Sequence, residues 1–456
     1  MTSVEFTSED IDLCEKFIQE ILRTIDQNGS CQLKSFCFCM TYAELEGEVL
    51  DVLSRFLHEQ NCPQIFISTL LYMVSSRFLQ TDLKSFLLVR QENDIKEYDG
   101  ANVTKALAET FREVCEEIKT KLSSLKLQKN KQCCHVSIHS IKNRRRKMED
   151  RHICYEDLNG LLKTTQFTCC QSLFAVFDGH GGTDAANYAA SQFVCKLKAT
   201  ENLTADPANA IKEAILKTDS DFMLKAKRER LRSGTTAVLV LIQDKKLIVS
   251  WLGDSQVVLC KAGQAIQLME AHKPDRQDER ERIEALGGCV VFFGGWRVNG
   301  SLSVSRAIGD YEQRPFITSE PDVEEYEMEG DEEFLILACD GLWDTVEPLK
   351  AVQKVQQCIK DGTRDQAAEI LSDLAKKKGS MDNITIMVVY LDFNGSTLVP
   401  EETVELASQQ TTTKGEELDE KNIVANNKDS TLNADINTLD DKLKENATIS
   451  DKNQTT

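Results

Sequence analysis

A chain of 456 residues with 41% hydrophobic and 28% charged side chains has the make-up of a folded globular protein, with room for one large domain and further segments. Its formal net charge of −20 argues against nucleic acid as the main partner, because such partners are met by basic surfaces. No apolar run reaches the roughly 18 residues of a membrane span, and the start MTSVEFTSED lacks the basic and apolar regions of a signal peptide. The 16 cysteines are then expected as reduced thiols, and the expectation is a cytoplasmic protein with no membrane partner.

Residues 1–132 read as helices with no strand signal. Leu13, Phe17, Ile21 and Ile25 recur every four residues behind the acidic cap Ser8-Glu9-Asp10, and Asn28-Gly29 supplies the stop. Thr41 with Glu44 forms a capping-box pattern ahead of Leu45, Val49, Val52 and Phe56, and Pro63 suits a first helical turn before Leu70, Val74 and Phe78. Leu107, Phe111, Val114, Ile118, Leu122 and Leu125 keep one apolar stripe. Such a region is either a bundle packed on itself or on its neighbour, or a regulatory module that binds a partner. Lys126 to Gln132 reads as a polar linker.

Residues 133–393 mix short strands (near 136–141, 172–178, 235–242, 246–252, 256–261, 333–339 and 384–391) with helical patterns (near 183–198, 207–229, 275–286, 348–360 and 364–378). Consecutive strands joined by two- to four-residue turns imply antiparallel pairing. The expected class is α+β: a central β-sandwich of two antiparallel sheets with α-helices on both sides, preceded by the helical region. Residues 394–456 contain no aromatic side chain and are expected to be an acidic disordered tail, in which Leu432, Ile436, Leu439 and Leu443 keep helical spacing.

One construction recurs along the chain. FAVF runs into Asp178-Gly179-His180, Leu247 to Leu252 into Gly253-Asp254, and Phe334 to Cys339 into Asp340; Asp382-Asn383 stands immediately before Ile384 to Leu391, and Glu149-Asp150 closes RRRKMED. Carboxylates gathered at several strand ends repel one another and resist desolvation unless cations hold them together. Oxygen ligands without His or Cys partners suit magnesium or manganese better than zinc.

RxxMED (Arg145 to Asp150), DGHGG (Asp178 to Gly182), SGTTA (Ser233 to Ala237), LGDS (Leu252 to Ser255), SRAIGD (Ser305 to Asp310), CDGLWD (Cys339 to Asp344) and MDNIT (Met381 to Thr385) together resemble the ordered motif series of the metal-dependent Ser/Thr protein phosphatases, the protein phosphatase 2C family. VSIHSIKN, KAKRERLRSGTT and WRVNGSLSVSRAIGD resemble the branch of calcium/calmodulin-dependent protein kinase phosphatases, also described as partners of PIX exchange factors. The resemblance implies hydrolysis of phosphoserine and phosphothreonine on proteins, with protein kinases of the calmodulin-dependent or p21-activated type as substrates and a PIX-type exchange factor as partner. It implies two Mg2+ or Mn2+ ions: Asp178 bridging, Asp340 and Asp382 on one ion, the Gly179 carbonyl and Glu149 on the other, Asp150 in the same acidic shell, and Asp254 on a weaker third ion shared with Asp340.

Among the remaining polar groups, Arg145 is the expected substrate clamp, since a guanidinium fork matches two phosphate oxygens. His180 is the expected donor of the leaving-group proton. Asp344 and Asp310 are expected to order waters, and Gly234 and Thr235 either line the cleft or merely start a strand. The run Arg144 to Lys147 can also be a solvated basic face or an import signal, which leaves a nuclear pool open. Lys225 to Arg232 reads as the exposed end of a helix or as a surface that guides substrate or an acidic partner, and Gly294 to Gly300 as the end of a flap beside the cleft. A cysteine phosphatase fails at CIKDGTR, because Val352, Val355, Cys358 and Ile359 keep helical spacing. The non-enzymatic alternative is a catalytically dead scaffold acting through the helical region.

Overall fold

The computed structural model describes residues 3–88, 96–122, 128–130, 134–163 and 169–391. The expected tail and Leu125 lie outside the described residues.

Helices α1 (Ser8–Asn28), α2 (Tyr42–Glu59), α3 (Gln64–Phe78) and α4 (Gly100–Lys121) make up most of the N-terminal region. The α1 cap lies one residue earlier than expected: the Thr7 amide donates to Asp10 at 2.8 Å, and the Thr7 hydroxyl accepts from the Asp10 amide. Gly29 ends the helix in the left-handed region, and the Thr41–Glu44 box opens α2. The buried face of α1 is Cys14, Phe17, Ile18, Ile21, Leu22 and Ile25, whereas Leu13 is 49% exposed. The expected stripe was therefore displaced at its first position.

The expectation of no strands here is corrected. Ser3–Glu5 pairs with Gln128–Asn130, inside the stretch read as linker, and Glu97–Asp99 pairs with both Cys39–Thr41 and Leu87–Leu88. Strands of two or three residues are too short to show a period-two pattern in sequence.

Ten strands form the sandwich: β1 (His135–Ile141), β2 (Arg151–Tyr155), β3 (Gln171–Phe177), β4 (Ala237–Gln243), β5 (Lys246–Leu252), β6 (Gln256–Lys261), β7 (Gln264–Gln267), β8 (Asp322–Glu327), β9 (Glu332–Ala338) and β10 (Ile384–Tyr390). One antiparallel sheet has the order β8-β5-β4-β3-β2 and the other β7-β6-β9-β10-β1. Successive side chains along a strand point to opposite faces, so each strand feeds two cores. Phe174, Val176, Val238 and Val240 meet Leu335, Leu337, Met387 and Val389 between the sheets. Leu173, Ala175, Phe177 and Leu239 face outward onto helices α5 (Asp184–Lys198) and α6 (Pro207–Glu229), in a core that also takes in α1 to α4. Ile336, Ile386 and Val388 face the other way onto α8 (Pro348–Lys360) and α9 (Ala367–Lys377). The remaining helix used below, α7 (Gln277–Ala285), packs beside a two-stranded hairpin, Val290–Phe292 with Trp296–Val298.

Candidate metal centre

Strand polarity brings the acidic side chains to one end of the sandwich. β3 and β5 both run antiparallel to β4, with Val238 opposite Val176 and Ala237 opposite Leu252, so Asp178 and Asp254 leave the same edge. In the second sheet Ala338 lies opposite Gln256 and Ile386, and Ile384 opposite Ile141, so Asp340, Asp382 and the 142–150 loop emerge there too.

A cleft of about 740 Å³ opens at that end, and Arg145, Glu149, Asp178, Gly179, His180, Asp254, Asp340 and Asp382 all line it. One carboxylate oxygen from each of Asp178, Asp254 and Asp340 lies within 4.8 Å of the others. Asp150 stands behind the cleft rather than on its wall. It is 2% exposed, its Oδ2 accepts from the Thr385 hydroxyl at 2.8 Å, and its Oδ1 has no hydrogen-bond partner among the described residues.

The electrostatics match a site built for cations. Burial, followed by repulsion from Asp150, Asp340, Asp254 and Asp382, drives the Asp178 carboxyl well above its ordinary pKa. Burial and the Asp254, Asp344 and Asp382 charges push Asp340 to about 8, and burial pushes Asp150 to about 6. Divalent cations would relieve this repulsion, and the clustered carboxylates on the cleft wall offer oxygens, as hard cations prefer. The nearby Cys339 thiol is pushed far up by burial and by the same carboxylates, which keeps it a protonated, poor ligand. The residues present therefore fit magnesium or manganese.

Asn383 fixes the loop that carries Arg145 and Glu149. Its Oδ1 accepts from the Glu149 amide at 2.7 Å, and its Nδ2 donates to the Lys142 and Lys147 carbonyls at 3.0 and 2.9 Å. Arg145, 60% exposed, directs its guanidinium at the Asp382 carboxylate, which raises its pKa further. Gly179 has no room for a side chain, since a Cβ would lie 2.4 Å from the Glu149 carbonyl oxygen. The close approach that its glycine permits is thus between β3 and the Arg145 loop.

His180 has a carboxylate partner. Its Nε2 lies 2.7 Å from Asp310 Oδ2, and Asp310 is 6% exposed. Burial alone would depress the imidazole, but the Asp310 hydrogen bond and the surrounding carboxylates outweigh it, and the net shift is upward. Asp310, expected to order waters, contacts His180 directly. Gly234 heads a two-residue strand paired with both His180 and Gly309, and a Cβ on it would sit 2.0 Å from Asp310 Oδ2 and 2.4 Å from His180 Nε2. The small size needed at this spot is therefore set by the His180–Asp310 pair.

Arg297, at the end of the exposed Phe292–Trp296 hairpin, lines the cleft, as do Arg146 and Lys147. The Lys225–Arg232 run does hold a helix end, at Glu229, with Lys227, Arg230 and Arg232 exposed, but Lys225 itself is 9% exposed and pairs with Glu44 of α2 and Glu229, both at 3.2 Å. Cys358 lies on α8 and is 2% exposed, so no phosphate loop surrounds it. Sequence reasoning missed Asn383 as the loop anchor and Lys273, whose Nζ lies 2.5 Å from Asp254 Oδ2. Asn383 had a usable signal, its place beside Asp382, whereas Lys273 had none, because its partner is nineteen positions away across a turn that only the fold closes.

Residues 134–384 match the family model described as Protein phosphatase 2C, more than half of the chain. The chain belongs to the protein phosphatase 2C family, a metal-dependent class of protein serine/threonine phosphatases. It is 44% identical over 367 residues to mouse Protein phosphatase 1E, covering 80% of this chain and 49% of that protein. It is 42% identical over 366 residues to human Protein phosphatase 1F, covering 77% of this chain and 80% of that protein. The chain thus spans about half the length of the Protein phosphatase 1E relatives it matches. Among solved structures, one described as a C. elegans sex determining protein superposes with a TM-score of 0.66 at 22% identity, over 83% of this chain and 94% of that one. That likeness extends the shared fold beyond residues 134–384. Among the described residues no helix is long and apolar enough to cross a membrane.

Proposed function

We propose that this chain hydrolyses phosphoserine and phosphothreonine in proteins at the cleft between the two sheet edges. The observation that carries the reading is the convergence of the Asp178, Asp254 and Asp340 carboxylates to within 4.8 Å, on a cleft that Arg145 and His180 also line. When bound, Mg2+ or Mn2+ supplies a polarised water as nucleophile and neutralises charge on the phosphoryl oxygens. Asp178 would serve both ions, with Asp340 and Asp382 completing the hold on one, the Gly179 carbonyl and, through water, Glu149 that on the other, Asp150 in the same acidic shell, and Asp254 with Asp340 taking a weaker third. Arg145 leaves Asp382 to hold two phosphoryl oxygens in its fork. His180 Nε2 is committed to Asp310, so the proton that the departing serine or threonine oxygen receives comes from Nδ1, and Asp310 keeps the imidazole charged until that transfer.

Residues 133–393 are the catalytic unit in this reading, residues 1–132 a regulatory or partner-binding helical region, and residues 394–456 an acidic tail. The likeness of VSIHSIKN and KAKRERLRSGTT to the calmodulin-kinase phosphatase branch supports phosphorylated kinases of the calmodulin-dependent or p21-activated type as substrates and a PIX-type partner, and the shortness of the basic run Arg144 to Lys147 supports a cytoplasmic site of action with a nuclear pool open. The substrate class is tested by phosphate release from matched phosphoserine, phosphothreonine and phosphotyrosine peptides in the presence of Mn2+. Turnover of the first two and little of the third supports the reading; release from phosphotyrosine alone contradicts it.

A further inference from the structure

Lys273 is the one cation on the described residues that reaches Asp254, and its position is built in rather than left to chance. The residue before it, His272, is fully buried and pegs this segment to the turn that presents Asp254. The His272 amide donates to the Gly253 carbonyl at 2.8 Å, and the Gly253 amide donates to His272 Nδ1 at 3.3 Å. On its other side His272 stacks on Trp251 and sets Nε2 3.0 Å from Asp322 Oδ2, while Asp322 Oδ1 accepts from Arg306 at 2.8 Å. This holds the backbone next to Lys273, so that its four-carbon stem carries the ammonium to Asp254 Oδ2 at 2.5 Å. Asp254 is itself 3% exposed and offers an oxygen to the trio with Asp178 and Asp340.

We propose that Lys273 is a resident counter-cation of Asp254 that competes with the third, weakest divalent ion and thereby sets that ion's affinity. The inference rests on the metal centre proposed above. A buried carboxylate without its ion is either protonated or paired with a cation, and Lys273 is the cation placed to pair with Asp254. An ammonium and a divalent ion against the same carboxylate repel one another, so binding the ion requires Lys273 to withdraw. Lys273 is able to do so, because its side chain is 40% exposed. Glutamine at 273 keeps a similar stem and removes the charge; arginine keeps the charge. Opposite charges at this range change the cation affinity of a carboxylate by about tenfold or more, and that is the expected gain when the ammonium is removed.

The test is Mn2+ binding to the full chain, followed by calorimetry and by the electron spin resonance of free Mn2+, at fixed pH and ionic strength. The wild type is compared with Lys273→Gln, Lys273→Arg and Asp254→Asn, each checked for a native circular-dichroism spectrum in chelator. Lys273→Gln is expected to tighten the weakest class of sites by about tenfold or more while leaving the tighter class in place. Lys273→Arg is expected to remain at the wild-type affinity, and Asp254→Asn to lose the weakest class. Equal isotherms for the wild type and Lys273→Gln, with Asp254→Asn still deficient, overturn the role of Lys273 and leave the metal centre standing. Isotherms that Asp254→Asn does not alter overturn the metal assignment of Asp254 and the inference with it.

Discussion

The His180–Asp310 pair shows how one side chain's chemistry depends on three positions far apart in the chain. Asp310 supplies the charge, and Gly234 supplies the empty space that lets the two groups meet at 2.7 Å. Because the imidazole is held above its ordinary pKa, it remains the proton-bearing form further into the alkaline range, and proton donation declines only as pH rises through that raised value. Asp310→Asn removes the acceptor charge, so the alkaline limb of the pH–rate profile is expected to move to lower pH. His180→Gln is expected to lower kcat by about 10²- to 10⁴-fold. Coincident profiles for Asp310→Asn and the wild type would rule out this use of the pair. The acidic residues themselves were legible in sequence because each follows or precedes an apolar strand, as at Phe177-Asp178 and Ala338-Cys339-Asp340. The pairing of Asp310 with His180 and of Lys273 with Asp254 was not, since hydrogen bonding across the fold leaves no local periodicity.

At the scale of elements, buried strands and amphipathic helices were easy to read and edge elements were not. The strands at 246–252 and 256–261 and the helices at 207–229 and 348–360 have the bounds expected from their apolar runs. By contrast β8 reads DVEEYE, whose outward charges suit a sheet edge and hide the strand. β2 hides behind the charged RRRKMED motif, and helix 158–162 is too short for its period to register. The loop that carries Arg145 and Glu149 has no secondary structure to hold it, and the three hydrogen bonds of Asn383 take that place. Asn383→Ala would leave the Lys142 and Lys147 carbonyls and the Glu149 amide without that partner, at a cost of about 0.5 to 1.5 kcal/mol for each hydrogen bond lost. The expected result is a raised KM for phosphopeptide and a weaker Mn2+ requirement curve with a preserved circular-dichroism spectrum. Unchanged KM and Mn2+ dependence would show that the loop is fixed by something else.

At the scale of the whole molecule, the helical N-terminal region and the phosphatase-like sandwich share one core. α2 lies against α5 through a polar seam: the Ser191 hydroxyl donates to Glu48 at 2.9 Å, Gln192 Nε2 donates to the Glu44 carbonyl at 2.9 Å, and Lys225 of α6 meets Glu44 at 3.2 Å. Burial, aided by Asp51, raises the Glu48 carboxyl to about 7. The next residues after α6 lead to Ser233 and Gly234, so the seam is continuous with the element that seats His180. Lys225→Met leaves Glu44 buried without its cation and is expected to cost about 3 to 5 kcal/mol in urea unfolding, partly recovered in Lys225→Met with Glu44→Gln. A loss below about 1 kcal/mol would place the pair in the weak class of exposed ion pairs.

The central claim, that acidic side chains from separate strands gather divalent ions needed to hydrolyse a phosphate ester, is tested most directly by phosphate release from a phosphothreonine peptide against Mn2+ concentration. The wild type should turn over only with Mn2+ or Mg2+ and stop in excess chelator, while Asp178→Asn and Asp340→Asn, folded as before, should fall by orders of magnitude at every concentration. Full turnover in chelator, or wild-type rates from both variants, would contradict the account.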